Sequence, residues 1–156
     1  MHNLIKIKSG IYILEIEAKT EFKLSIKKYG EEVFPKGYYY YVGSAQQSFY
    51  HRIKRHLQKT KKIHWHIDYL LDIPTNDIKT VFALKDKPKS FECKVVNEIG
   101  KDENLYHLMN GFGNSDCRSC KSHLLYCKKK ISHNHFISLY QSIARFIPSS
   151  KDISCR

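Results

Sequence analysis

Residues 38–57 read YYYYVGSAQQSFYHRIKRHL, and a change of period inside this stretch decides the fold. Tyr38 to Val42 is a dense run of aromatic and β-branched residues closed by Gly43 and Ser44, the composition of a strand that ends at a turn. From Phe49 the apolar residues recur at every fourth position, Phe49, Ile53 and Leu57, with His51, Arg52, Lys54, Arg55, His56 and Gln58 between and after them. That spacing predicts an amphipathic helix. A strand therefore feeds a basic helix through a short polar link.

Outward from this stretch, GIYILEIE at 10–17 and FKLSIKK at 22–28 predict two further strands, the second with Phe22, Leu24 and Ile26 on one face. Tyr29-Gly30 and the Pro35–Gly37 segment turn the chain, so these strands form an antiparallel sheet. Downstream, IHWHIDYLL at 63–71 predicts a second helix that stops before Pro74, and DIKTVFAL at 77–84 one returning strand. Ser90 is expected to cap a helix through Glu92 to Ile99. Residues 105–114 read as a loop, and Phe136, Leu139, Tyr140, Ile143 and Phe146 predict a helix over 133–146. The expectation is an α+β fold: a small antiparallel sheet, with an inserted hairpin strand, flanked by helices. One domain is expected over 1–147, with 148–156 as a flexible tail.

The chain has 156 residues, a hydrophobic share of 42% and an aromatic share of 13%, enough to fill one core and too much for a disordered chain. No apolar run approaches the ~20 residues of a membrane span, and Lys6 and Lys8 interrupt the only apolar start, unlike a secretion signal. A cytoplasmic setting and no membrane partner are expected. Lys and Arg total 27 against 15 Asp and Glu, a net charge of +12. Basic residues crowd 51–62 and 127–130, the first run interleaved with aromatics, which favours a polyanionic partner, nucleic acid foremost. A generally lysine-rich composition would produce the same charge without such clustering.

Several chemistry-bearing residues fall in order. Gly10-Ile11-Tyr12 opens the first strand and Tyr41-Val42-Gly43 ends a later one. Arg52 and His56 lie one turn apart on the basic helix, and Glu92 is a lone carboxylate at the start of a later helix. This set resembles the GIY-YIG nuclease superfamily, with Val42 in place of the second motif's Ile. Further blocks resemble one stand-alone branch: YYYYVGSA at 38–45, RIKRHL at 52–57, HWHIDYLL at 64–71, Glu92-Cys93, GFGNSDC at 111–117 and SHL at 122–124. The likeness covers about residues 10–124. Tyr12 and Tyr41 stand 29 residues apart, wider than in many members, because the hairpin strand is inserted between them.

The resemblance implies a metal-dependent endonuclease that hydrolyses phosphodiester bonds in DNA with one metal ion, and the residue types suit that chemistry. Hydrolysis needs a deprotonated water, compensation of charge on the phosphoryl oxygens and help for the leaving oxygen. Arg52 offers a permanent cation with a fork matched to phosphate. Glu92 is a hard oxygen ligand for Mg²⁺ or Mn²⁺. Tyr12 or Tyr41 would take the proton of the water, a choice the sequence leaves open, and His56 would relay it or bind phosphate. Taken singly, each residue has a plainer reading: tyrosines packed in strands, a solvated helix face, a carboxylate complementing a helix dipole.

Lys54, Arg55, Lys59, Lys61 and Lys62 are candidate backbone-phosphate ligands without sequence readout. Trp65 is expected to pack the second helix onto the sheet, and His64, His66 and Asp68 to be structural, with His66 the one worth testing. Cys117, Cys120, His123 and Cys127 are four candidate zinc ligands if a helix from Lys121 places the last two on one face. Cys93 reads as core packing, and the alternative for the cluster is reduced buried thiols. An odd cysteine count, five, argues against a disulfide framework. Low sequence specificity is expected, with substrate choice left to shape or to a protein partner. The competing functions are a catalytically silent nucleic-acid-binding module of the same fold and a zinc-stabilised protein adaptor.

Overall fold

The computed structural model describes residues 2–27, 29–113 and 119–153. After a short helix, α1 (His2–Ile5), come β1 (Gly10–Ala18), β2 (Phe22–Ile26), β3 (Gly30–Phe34) and β4 (Gly37–Ala45). Two helices follow, α2 (Phe49–Leu57) and α3 (His66–Leu71), then β5 (Asn76–Lys85) and α4 (Glu92–Ile99). The chain closes with β6 (Tyr106–His107), β7 (Leu124–Cys127), α5 (His133–Leu139) and β8 (Ala144–Phe146). Six strands form one antiparallel sheet in the order β6-β7-β4-β1-β5-β8, while β2 and β3 form a separate two-stranded sheet. The class is α+β, as expected. Among the described residues no helix is long and apolar enough to cross a membrane.

Both faces of the sheet are covered, which explains why β1 and β4 carry almost unbroken apolar runs rather than alternation. Odd and even positions of β1 part company: Tyr12, Leu14 and Ile16 join α1, α2, α3 and the β2–β3 hairpin in one core, Ile11 and Ile13 join α4 and α5 in the other. Burying each such large apolar side chain is worth about 1.5–3 kcal/mol. Glu15 is fully buried in β1 and is held by the Tyr40 and Thr80 hydroxyls, at 2.9 and 2.8 Å. A buried carboxylate must be compensated in this way.

Three sequence expectations are corrected here. Helix 133–146 is only α5 as far as Leu139. The chain then extends as β8 against the free edge of β5, pairing Val81 with Phe146 and Ala83 with Ala144, and these ladder bonds satisfy backbone that the edge would otherwise leave open. The helix expected from Lys121 is instead β7, whose LLYC is buried throughout and pairs with β4. Ser90 does not cap: it sits in a 3₁₀ turn (Lys89–Phe91) that leads straight into α4. Trp65 is half-buried and packs against the core that the sheet shares with α2 and α3, with the Arg52 and Arg55 guanidinium carbons each 4.4 Å from its ring centroid. At the C-terminal end Ile153 lines, with Leu57, Leu71 and Ile78, a small cavity.

Candidate active site

A cleft of about 560 Å³ opens at the end of the β1–β4 ladder and is lined by Tyr12, Tyr41, Ser44, Arg52, His56, Trp65, Lys89 and Glu92, among others. All five catalytic candidates from the sequence therefore share one cavity. Their elements explain why. Tyr12 lies directly across from Gly43 in the ladder, and a Cβ on Gly43 would stand 2.5 Å from the Tyr12 hydroxyl and from the ring carbon that bears it. Glycine is needed here so that the ring can lie over the neighbouring strand. The other edges of that ring meet Phe49 and His56 of α2, at centroid separations of 6.0 and 5.3 Å.

The Tyr12 hydroxyl and His56 Nε2 are 2.8 Å apart and buried. His56 Nδ1 is also buried and has no hydrogen-bond partner among the described residues. Burial, assisted by Lys61, lowers the His56 pKa from 6.5 to about 3, so the ring is neutral at pH 7. Burial likewise raises Tyr12 above the ordinary phenol value, against the opposing pull of Arg52. At neutral pH the pair is a phenol and a neutral imidazole. Tyr41 is also raised by burial, and its ring packs against Phe112 at 6.2 Å. Among the described residues it makes no hydrogen bond to a histidine, so the structure distinguishes two tyrosines that the sequence left equivalent.

Ser44 ties the remaining groups together. Its carbonyl accepts from the Arg52 guanidinium at 3.0 Å, and its hydroxyl donates to Glu92 Oε1 at 3.1 Å. Neither Ser44 nor Lys89 was singled out from the sequence; the only signal was the position of Ser44 directly after Gly43. Glu92 is 8% exposed, and burial raises its pKa in spite of Ser44, Lys89 and Arg52. It is the one carboxylate among the residues lining the cleft, and no Lys or Arg pairs with it within ion-pair distance among the described residues. A desolvated carboxylate without a paired cation, facing a polar cleft, suits a hard divalent ion that keeps most of its waters.

The five basic candidates divide. Arg55 grips Asp68 through two bonds, at 2.9 and 2.8 Å, and also donates to the Lys62 carbonyl. Asp68 in turn accepts the backbone N–H of His64 and of Trp65, which fixes the entry of α3. Lys59 pairs with Asp77 at 2.6 Å, and Lys61 donates to the Arg55 and His56 carbonyls at the end of α2. Lys54 and Lys62 are exposed. His66 accepts the Gly113 N–H at 2.9 Å and lines the cleft with His64.

The cysteine cluster has different members from those expected. Cys93, Cys120 and His123 place their ligand atoms within 4.8 Å of one another and could hold a metal ion. Cys127 is not among them: it is buried in β7, opposite Tyr38, in the core under α4 and α5. Because residues 124–127 are extended, the one-turn spacing that would have joined Cys127 to His123 does not exist. Cys117 lies outside the described residues.

No curated protein and no solved structure matches the chain. The family described as Domain of unknown function DUF123 has a model that matches residues 11–145. The match takes in both tyrosine strands, the basic helix, Glu92 and the Cys93–Cys120–His123 group, and the chain belongs to this family.

Proposed function

We propose that the protein is a metal-dependent endonuclease of the GIY-YIG type, hydrolysing phosphodiester bonds in DNA with low sequence specificity. The observation that carries this reading is the convergence of the Tyr12–His56 hydrogen bond, Arg52 and the Ser44-bound Glu92 in one polar cleft. The net charge of +12 suits a polyanionic substrate.

In this reading Arg52 binds a non-bridging phosphoryl oxygen, held in place by the Ser44 carbonyl and by Trp65. A water attacks phosphorus, its proton passes to the Tyr12 oxygen, and the phenolic proton moves to His56 Nε2. A bound phosphodiester is an anion, and its charge raises the basicity of the imidazole during that transfer. Glu92 and the Ser44 hydroxyl would hold Mg²⁺ or Mn²⁺, which would supply charge neutralisation at the departing 3′ oxygen. Exposed Lys54, Lys62 and Lys89 contact backbone phosphates on either side.

The buried, protonated state of Tyr12 also suits a module that binds nucleic acid without cutting it. A nicking assay on supercoiled plasmid and on branched oligonucleotides, in Mg²⁺, Mn²⁺ and EDTA, separates the two. The enzyme reading expects metal-dependent nicking that falls at least 10²-fold in Arg52→Ala, Glu92→Gln and Tyr12→Phe, with binding retained. Salt-sensitive binding without nicking by any of the four proteins would establish the binding module instead.

A further inference from the structure

We propose that Cys93, Cys120 and His123 form a zinc site that is separate from the cleft metal and positions Glu92. Cys93 follows Glu92 in the first turn of α4, while Cys120 and His123 come from the segment leading into β7. Cys93 Sγ lies 2.6 Å from Cys120 Sγ and 3.5 Å from His123 Nε2. His123 is 3% exposed. With Nε2 turned toward the sulfurs, its Nδ1 lies 3.4 Å from Glu92 Oε2. That Nδ1 is buried and makes no well-aligned hydrogen bond among the described residues.

Cys93 is disulfide-bonded in the structure, and Cys127 is a free thiol buried in β7. In the reduced protein the Cys93 and Cys120 sulfurs and a His123 ring nitrogen lie close enough to share one ion. A metal uses all three groups. Thiolate and imidazole together select a soft or borderline ion, Zn²⁺ before Mg²⁺. Three protein ligands leave one tetrahedral position for a water or a further ligand. On binding to the reduced protein each thiol gives its proton to solvent, and His123 binds through Nε2 as the Nδ1–H tautomer. That proton points to Glu92, the carboxylate–histidine–metal arrangement that fixes a ligand ring. Seen from the cleft, once the ion fixes the ring this N–H would hold Glu92 Oε2 while the Ser44 hydroxyl holds Oε1, so the zinc site sets the direction of the carboxylate and pins α4 to the segment entering β7.

The consequence for Glu92 rests on the proposed nuclease site, but the zinc site itself does not, and its test reads metal rather than cleavage. Full-length protein purified under reducing conditions without a metal-affinity step is expected to carry about one zinc per chain. X-ray absorption on the wild type is expected to show sulfur at about 2.3 Å and nitrogen at about 2.0–2.1 Å. Replacement by Co²⁺ should give a thiolate-to-metal charge-transfer band. Cys93→Ser and Cys120→Ser should each lower zinc content at least 10-fold, while Cys127→Ser, the matched buried control, keeps it. Glu92→Ala should retain the ligand set but weaken zinc by about 10-fold or more against a competing chelator. Zinc-free protein that folds normally, an absorption spectrum without sulfur ligands, or a disulfide that persists in the reduced preparation would overturn the site. Unchanged affinity in Glu92→Ala would overturn its link to Glu92. Loss of nicking in Glu92→Gln with zinc retained would support both sites at once.

Discussion

Gly43→Ala should disable the cleft without removing any chemical group. The added methyl would stand 2.5 Å from the Tyr12 hydroxyl and from its ring carbon, whereas ordinary contact begins at 3.4 Å. The ring must therefore retreat by about an ångström. It is enclosed by Tyr41, Phe49 and His56, so it cannot swing away freely, and a hydrogen bond of 2.8 Å does not survive a shift of that size. Overpacking of this kind costs about 1–3 kcal/mol of stability. Misplacing a catalytic group by an ångström costs about 10²-fold in rate. Urea unfolding reads the first quantity and plasmid nicking in Mg²⁺ the second. A double-mutant cycle sharpens the test: once Tyr12→Phe has removed the hydroxyl, adding Gly43→Ala should cost little further activity. Wild-type nicking by Gly43→Ala would refute the reasoning, as would losses that simply multiply in the double variant.

Acid stability should follow His56. Its folded pKa of about 3 lies below the unfolded value of 6.5, so the unfolded chain takes up the proton first. The stabilisation is complete above pH 6.5 and is lost as pH falls toward 3, at up to about 1.4 kcal/mol per pH unit. Urea midpoints measured between those limits should therefore slope less in His56→Gln than in the wild type. Asp68→Asn leaves the Arg55 fork unpaired beside a fully buried side chain and should cost about 3 kcal/mol, seen as a lower urea midpoint at unchanged m-value. Among the lysines, Lys54→Ala and Lys62→Ala should each reduce the log–log salt slope of DNA binding by about 1. Lys59→Ala, which loses the Asp77 pair, should leave that slope unchanged and lower stability instead.

The sequence by itself was sufficient for whatever depends on neighbours along the chain. The apolar runs of β1 and β4 and the four-residue period of α2 are local patterns, and they carried the α+β class, while the set Tyr12, Tyr41, Arg52, His56 and Glu92 came from ordered motifs that resemble a known family. What depends on pairing between distant segments was decided only by the tertiary structure. Residues 144–146 have a helical spacing but meet the free edge of β5, and a strand edge with open backbone groups outweighs so short a helical preference. Arg55, Lys59 and Lys61 have the same spelling as phosphate ligands, yet Asp68, Asp77 and the end of α2 lie close enough to claim them. Tyr12 and Tyr41 are equivalent in text, and only the approach of α2 joins one of them to His56. Cys127 lies four residues beyond His123, whereas Cys93 lies 30 before it. The extended backbone of β7 buries the near cysteine in the core beneath α4 and α5, and the packing of α4 brings the distant one to the imidazole. A ligand set is a matter of convergence in space, and chain distance does not measure it.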